Sequence, residues 1–128
     1  MSGVDPSNVT LYEAVGGLPF FEALVDRFYE GVAQDDILRP LYPEDLGPAK
    51  RHLTLFLAQY WGGPGEYSEV RGHPRLRMRH APFTVGVAER DRWLVHMRAA
   101  VAVIDPPADI AKALDEYFEY AADAMRNA

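Results

Sequence analysis

The chain has 128 residues, a formal net charge of −6 and no cysteine. That length suits one domain burying roughly two thirds of its unfolded surface, and the missing thiols exclude a disulfide scaffold, thiolate catalysis, Cys-based zinc or iron–sulfur sites and c-type haem attachment. The acidic balance argues against nucleic acid as a partner, because neutralising phosphates needs a broad basic face; no apolar run approaches the length of a membrane span.

The polar stretch 1–10 lacks the basic and apolar regions of a secretion signal, so a cytoplasmic location is expected. It reads as an N-terminal extension, free to be disordered, ahead of a domain over 11–128. Thr10 is placed to N-cap a short helix over 11–15, with Glu13 as its capping-box partner, and Gly16-Gly17 ends it. Pro19 opens the next helix, whose apolar positions Phe21, Leu24, Val25, Phe28 and Val32 have the spacing of one buried stripe, with Tyr29 on its edge. Asp35 or Asp36 caps a short helical turn toward Leu41, and Tyr42-Pro43 turns the chain. Pro48 starts a third helix with the stripe Ala49, Leu53, Phe56, Leu57 and Tyr60, and Trp61 at its end. Gly62-Gly63-Pro64 stops it, and the loop over 62–74 is long enough to be functional or partly structured.

Pro74 opens, and Pro82 forces to a close at about His80, a very short helix. After Gly86 a long helix over 88–104 places Trp93, Met97, Ala100, Val101 and Ile104 on one face. Asp105-Pro106-Pro107 breaks it, and the last helix runs to about residue 126 with Ile110, Leu114, Tyr117, Phe118, Ala121 and Met125 together. Every element is helical, so the expected architecture is all-α. Eleven arginines against two lysines point to a GC-rich or heat-tolerant bacterial source.

The chain has four histidines, and no H-E-x-x-H zinc motif, nucleophile elbow or phosphate loop accompanies them. The acids are too dispersed for a metal or glycosidase site. His96 sits beside the Trp93/Met97 stripe as an edge histidine, His52 faces solvent or the rim of a pocket, and His73 caps or turns the chain. His80 alone combines a helix end with a basic setting, Arg75, Arg77 and Arg79 beside it and Arg71 upstream. Two readings stay open: a seat for an anion beside a nitrogen ligand, or a basic patch carrying a surface histidine. Tyr29, Tyr42 and Trp93 each lie on or beside an apolar stripe and carry one donor that needs a partner when buried. Each is an ordinary core residue alone; spacing does not reveal whether the three converge.

The run Gln59-Tyr60-Trp61-Gly62-Gly63-Pro64, then Tyr67-Ser68-Glu69, the stretch from Arg71 to His80, and Arg90-Asp91-Arg92-Trp93-Leu94 resemble the group II truncated haemoglobins. So do Ala14-Val15-Gly16-Gly17, Arg27-Phe28-Tyr29 and Leu41-Tyr42-Pro43, and the resemblance spans about 11–127. It implies a two-over-two helical sandwich around non-covalent haem b. His80 would then be the proximal iron ligand, and Tyr29, Tyr42 and Trp93 the residues facing bound ligand. Ala49 matches the position of the distal histidine of many other globins, Leu53 lies over the iron, and Phe28, Phe56, Leu57, Leu76, Phe83 and Met97 complete the pocket with Arg79. One departure is His52, where the group commonly has an Arg or Lys on a propionate; Arg79 and Arg77 are expected to share that contact.

The resemblance implies reversible binding of O2, CO, NO or other small haem ligands, for oxygen storage, delivery or sensing, with an unidentified reductase and a monomeric or homodimeric state. The competing readings are a haem redox enzyme (NO dioxygenase or peroxidase-like detoxification) and a haem-free helical interaction module. No partnership with nucleic acid or membrane is expected.

Overall fold

The computed structural model describes residues 9–71 and 85–127, except for the side chains of 70 and 71. The described chain forms six α-helices: α1 (Leu11–Ala14), α2 (Leu18–Ala33), α3 (Gly47–Tyr60), α4 (Glu66–Arg71), α5 (Val87–Ile104) and α6 (Ala108–Ala124), with one 3-10 turn at Arg39–Leu41. No strand occurs among the described residues. The helix expected to end at His80 lies outside them, as do Leu76, Arg77, Arg79, His80 and Phe83.

Local chemistry explains most boundaries. The Thr10 hydroxyl accepts from the Glu13 N–H at 3.1 Å and donates to the Glu13 carboxylate at 3.3 Å. This caps α1, but the Glu13 side chain returns to the Thr10 hydroxyl and not to its backbone N–H as a full capping box requires. At the end of α3 the Gly63 N–H donates to Ala58 O at 2.7 Å and the Gly62 N–H to Gln59 O at 3.2 Å, the paired bonds of a Schellman motif. Gly62 adopts φ +102°, and a Cβ there would lie 2.6 Å from Thr10 Cβ. The second glycine pair thus closes α3 and seats it against the cap of α1, while the Tyr12 N–H donates to Trp61 O at 3.0 Å.

Helix α2 packs against α5 and α3, α5 packs on α6, and α3 carries α4. Two helix pairs therefore face each other. The expected stripe of α2 is buried in full: Phe21, Leu24, Val25, Phe28 and Val32 have no exposure. The buried face of α5 is centred on Leu94, Met97 and Ala100, with Trp93, Val101 and Ile104 flanking it. Tyr60 departs from its expected place, being 51% exposed. It rides over the rim of the α3 stripe and lays its ring on Tyr117, with centroids 4.1 Å apart.

The loop after α3 contains α4, which periodicity did not reveal because its sequence is short and flanked by glycine. Gln59 ties it down, its amide nitrogen donating to the Ser68 hydroxyl at 2.8 Å and its oxygen accepting the Ser68 N–H at 3.0 Å. The last helix ends at Ala124, sooner than expected. Asn127 there exchanges hydrogen bonds with Val85: its N–H donates to Val85 O at 2.9 Å and its side-chain oxygen accepts the Val85 N–H at 2.8 Å. This tertiary pairing takes the chain out of the helix.

Candidate functional site

A cavity of about 270 Å³ lies between α3, α5 and α6, with the 38–42 corner at one end. Apolar walls come from Leu38, Leu53, Phe56, Leu57 and Phe118, and the donor-bearing residues Tyr29, Tyr42 and Trp93 also line it. Three elements supply those donors: the end of α2, the corner and the first turns of α5. The tertiary structure thus brings together what sequence spacing left open.

The Tyr29 and Tyr42 rings meet edge to face with centroids 5.5 Å apart. Burial pushes the Tyr29 phenol far above its ordinary value, and the neighbouring Tyr42 adds to the shift. Burial also raises Tyr42, partly offset by the neighbouring Tyr29 hydroxyl. Both therefore stay protonated at neutral pH, so the pair offers O–H donors and no phenolate. Trp93 is set by rings on two sides, Phe28 at 5.2 Å and Phe118 at 5.7 Å, and Phe28 also packs on Tyr29 at 4.9 Å.

Of the other expected pocket residues, His52, Leu53, Phe56 and Leu57 line the cavity. Phe28 and Met97 are fully buried in the core, and Ala49 is partly buried and packs against that core. His80, Arg77, Arg79, Leu76 and Phe83 lie outside the described residues. The sequence reading missed Leu38 and Tyr67 as wall residues, and took Tyr117, Phe118 and Met125 only as a helix stripe. Helical spacing marks a buried face without distinguishing a packed core from the wall of a cavity. Tyr67, only 3% exposed, had no periodic signal at all in its glycine-rich surroundings.

The chemistry of this lining, aliphatic and aromatic side chains with a minority of polar groups (Tyr29, Tyr42, Trp93, His52, Glu89 and Arg90 among them), fits a largely apolar group with some polar needs. Among the described residues no cluster of His, Asp and Glu is arranged to hold a bare metal ion.

Outside the cavity, Asp35 forms a second polar centre. Its side chain is 2% exposed and lies 2.8 Å from Arg92 Nε and 2.6 Å from His96 Nε2. It also accepts the backbone N–H groups of Ile37 at 2.8 Å and Leu38 at 3.1 Å. Burial alone would raise its pKa, but the bonds from His96, Arg92 and the two backbone groups outweigh this and hold the carboxyl well below the usual range. Asp35 thus caps the turn as expected, and His96 is a satisfied edge histidine.

A family model described as bacterial-like globin matches residues 10–127. A group 2 truncated hemoglobin of Bacillus subtilis is 40% identical over 116 residues, covering 91% of this chain and 87% of the relative. The X-ray structure of a thermostable hemoglobin from Thermobifida fusca superposes with a TM-score of 0.91 at 62% identity, covering 93% of this chain and 98% of that one. A hemoglobin of Chloroflexus aurantiacus gives 0.92 at 52% identity, covering 94% and 100%.

Proposed function

Because the chain belongs to the bacterial-like globin family, among the group II truncated haemoglobins, we propose that it binds O2 and other diatomic ligands reversibly for storage, delivery or sensing. Globins of this family hold haem b non-covalently, and the fold is their two-over-two helical sandwich. Haem, when bound, would supply an iron able to take up a diatomic ligand. The observation that carries the finer reading is the meeting of Tyr29, Tyr42 and Trp93 on one apolar cavity.

The chain's own residues then divide the work. His80 would be the residue that holds the cofactor, through one imidazole nitrogen. Leu53, Phe56 and Leu57, which line the cavity, would give the cofactor an apolar wall and keep water out. Ala49 would offer no side-chain donor at the position it holds. The Trp93 N–H and the Tyr29 and Tyr42 hydroxyls, which line the cavity, would be the donors offered to the ligand. O2 draws electron density and accepts such bonds well; CO carries less negative charge and accepts them weakly. His52 on the cavity wall, with Arg77 and Arg79, would hold the propionates, guanidinium pairing well with carboxylate. Residues 11–128 form the working domain and 1–10 an extension. No helix among the described residues is long and apolar enough to cross a membrane; the proposed location is cytoplasmic.

Absorption spectra of the ferric, ferrous, O2 and CO forms, for the parent and for His80→Ala, test the cofactor assignment. The parent should show a Soret band and His80→Ala should lose most of it. Trp93→Phe should speed O2 release by about tenfold or more, the size of one charge-assisted hydrogen bond, and leave CO release nearly unchanged. Equal acceleration of both would make Trp93 a steric gate and overturn its role as donor.

A further inference from the structure

Asp35 is not among the residues lining the cavity, yet two of the three segments that bring donors to it, the corner and the Trp93 helix, are both hydrogen-bonded to this one carboxylate. Its Oδ1 accepts the N–H groups of Ile37 and Leu38 at 2.8 and 3.1 Å, and its backbone oxygen accepts the Arg39 N–H at 2.8 Å. Those bonds launch the 3-10 turn that delivers Tyr42. Arg39 then closes the corner from outside, its guanidinium donating to the backbone oxygens of Tyr42 at 3.3 Å, Pro43 at 2.9 Å and Glu44 at 2.8 Å. The corner is thus a rigid unit with one buried handle.

The other carboxylate oxygen, Oδ2, reaches across to α5. It accepts from Arg92 Nε at 2.8 Å and lies 2.6 Å from His96 Nε2. A carboxylate only accepts, so Nε2 carries the hydrogen. Arg92 and His96 stand one turn apart on either side of Trp93 in the sequence. His96 is also seated on α2, because Gly31 makes room for its ring: a Cβ on Gly31 would lie 2.3 Å from His96 Nδ1. One buried anion therefore joins the end of α2, the corner and α5 at the level of the cavity donors.

Resting on the ligand-binding reading above, we infer that Asp35 is a positioning residue: its carboxylate locks the Tyr42 corner to the Trp93 helix and sets the spacing between the two donors a diatomic ligand meets. Charge-assisted bonds suit this task because they are short and strongly directional. Phe28 and Phe118 hold the Trp93 ring in place, but only the Asp35 link ties its helix to the corner through hydrogen bonds among the described residues.

Asp35→Asn separates the two halves of the lock. The amide oxygen still accepts Ile37 and Leu38, while the amide nitrogen presents donors to the donors of Arg92 and His96. His96→Leu removes one arm of the link, and His96→Gln keeps an N–H donor there. In the haem-loaded protein, Asp35→Asn and His96→Leu should raise the O2 dissociation rate by about fivefold with CO dissociation within about twofold of the parent, the scale of one weakened hydrogen bond. Both should shift or broaden the C–O stretching band of the CO form and speed amide exchange over residues 39–44. His96→Gln should restore parent values.

A variant that lowers melting temperature but leaves the O2 rate and the C–O band at parent values overturns the inference, as does His96→Gln behaving like His96→Leu. Should Asp35→Asn fail to fold, the two His96 variants decide the matter, that side chain being at the partly exposed edge of the cluster. Trp93→Phe in parallel separates the two levels. If it speeds O2 release while the Asp35 and His96 variants do not, the positioning role falls and the ligand-binding reading stands. If Trp93→Phe itself changes nothing, the reading of the distal donors fails, and the positioning inference fails with it.

Discussion

On one side of the Phe28–Trp93 contact the interior closes upon itself; on the other it does not. Where α2 meets α5, Phe21, Leu24, Val25, Phe28, Val32 and Met97 have no exposure. Beyond Trp93, between α3 and α6, the same kinds of residue leave a cavity of about 270 Å³. Aliphatic and aromatic side chains build both regions, so composition does not separate them. What separates them is helix approach: Gly31 lets α2 and α5 come close, whereas α3 and α6 are held apart around the cavity. The first region should carry stability and the second ligand chemistry.

The largest effect that would break this contrast is in the packed half. Leu24→Ala should cost about 2–5 kcal/mol in unfolding free energy, because a fully buried leucine leaves a hole that rigid neighbours fill only in part. Leu53→Ala, whose side chain already borders the cavity, should cost about 1 kcal/mol, with its main effect on haem retention. Denaturant unfolding of both variants, with haem content measured alongside, tests the pair; equal costs would abolish the distinction.

Acid should reach the boundary between the halves next. Asp35 has its pKa lowered in the folded protein, so its contribution is fully present above the unfolded value of 3.8 and is lost as pH falls below that toward the folded value. The parent should therefore lose stability more steeply than Asp35→Asn on going from about pH 5 to about pH 3. Parallel slopes in unfolding measured across that range would contradict the assigned network.

The smallest effect belongs to the surface, which serves as the control. Arg27 and Glu30 sit 3.2 Å apart with half or more of each side chain exposed. Replacing Glu30 with Gln should change stability by less than about 0.5 kcal/mol, less still at high salt.

Much of this was readable from local pattern. The Thr10 cap, the stripe of α2, the stop at Gly62-Gly63 and the break at Asp105-Pro106-Pro107 each depend on neighbours in sequence, and each is where it was expected. Tyr29, Tyr42 and Trp93 were singled out because a buried donor needs a partner, a rule that needs no coordinates. The resemblance to the group II truncated haemoglobins supplied the cofactor, which no spacing of these residues could specify. Helix α4 escaped because six residues between glycines carry too little periodicity. Tyr60 was misplaced because a stripe position at a helix end still reaches solvent when its neighbour, here Tyr117, covers only one side of the ring.

The amino-acid order alone determined that the described chain is helical, where most helices start and stop, and which faces they bury, since those outcomes follow from backbone geometry and the period of the side chains. Only the tertiary structure decided that two buried faces enclose a cavity, that Tyr29, Tyr42 and Trp93 share it, and that Asp35 reaches from the corner to Arg92 and His96. Those facts depend on distances between segments remote in sequence, and such distances are set by how helices pack and not by what any one of them contains.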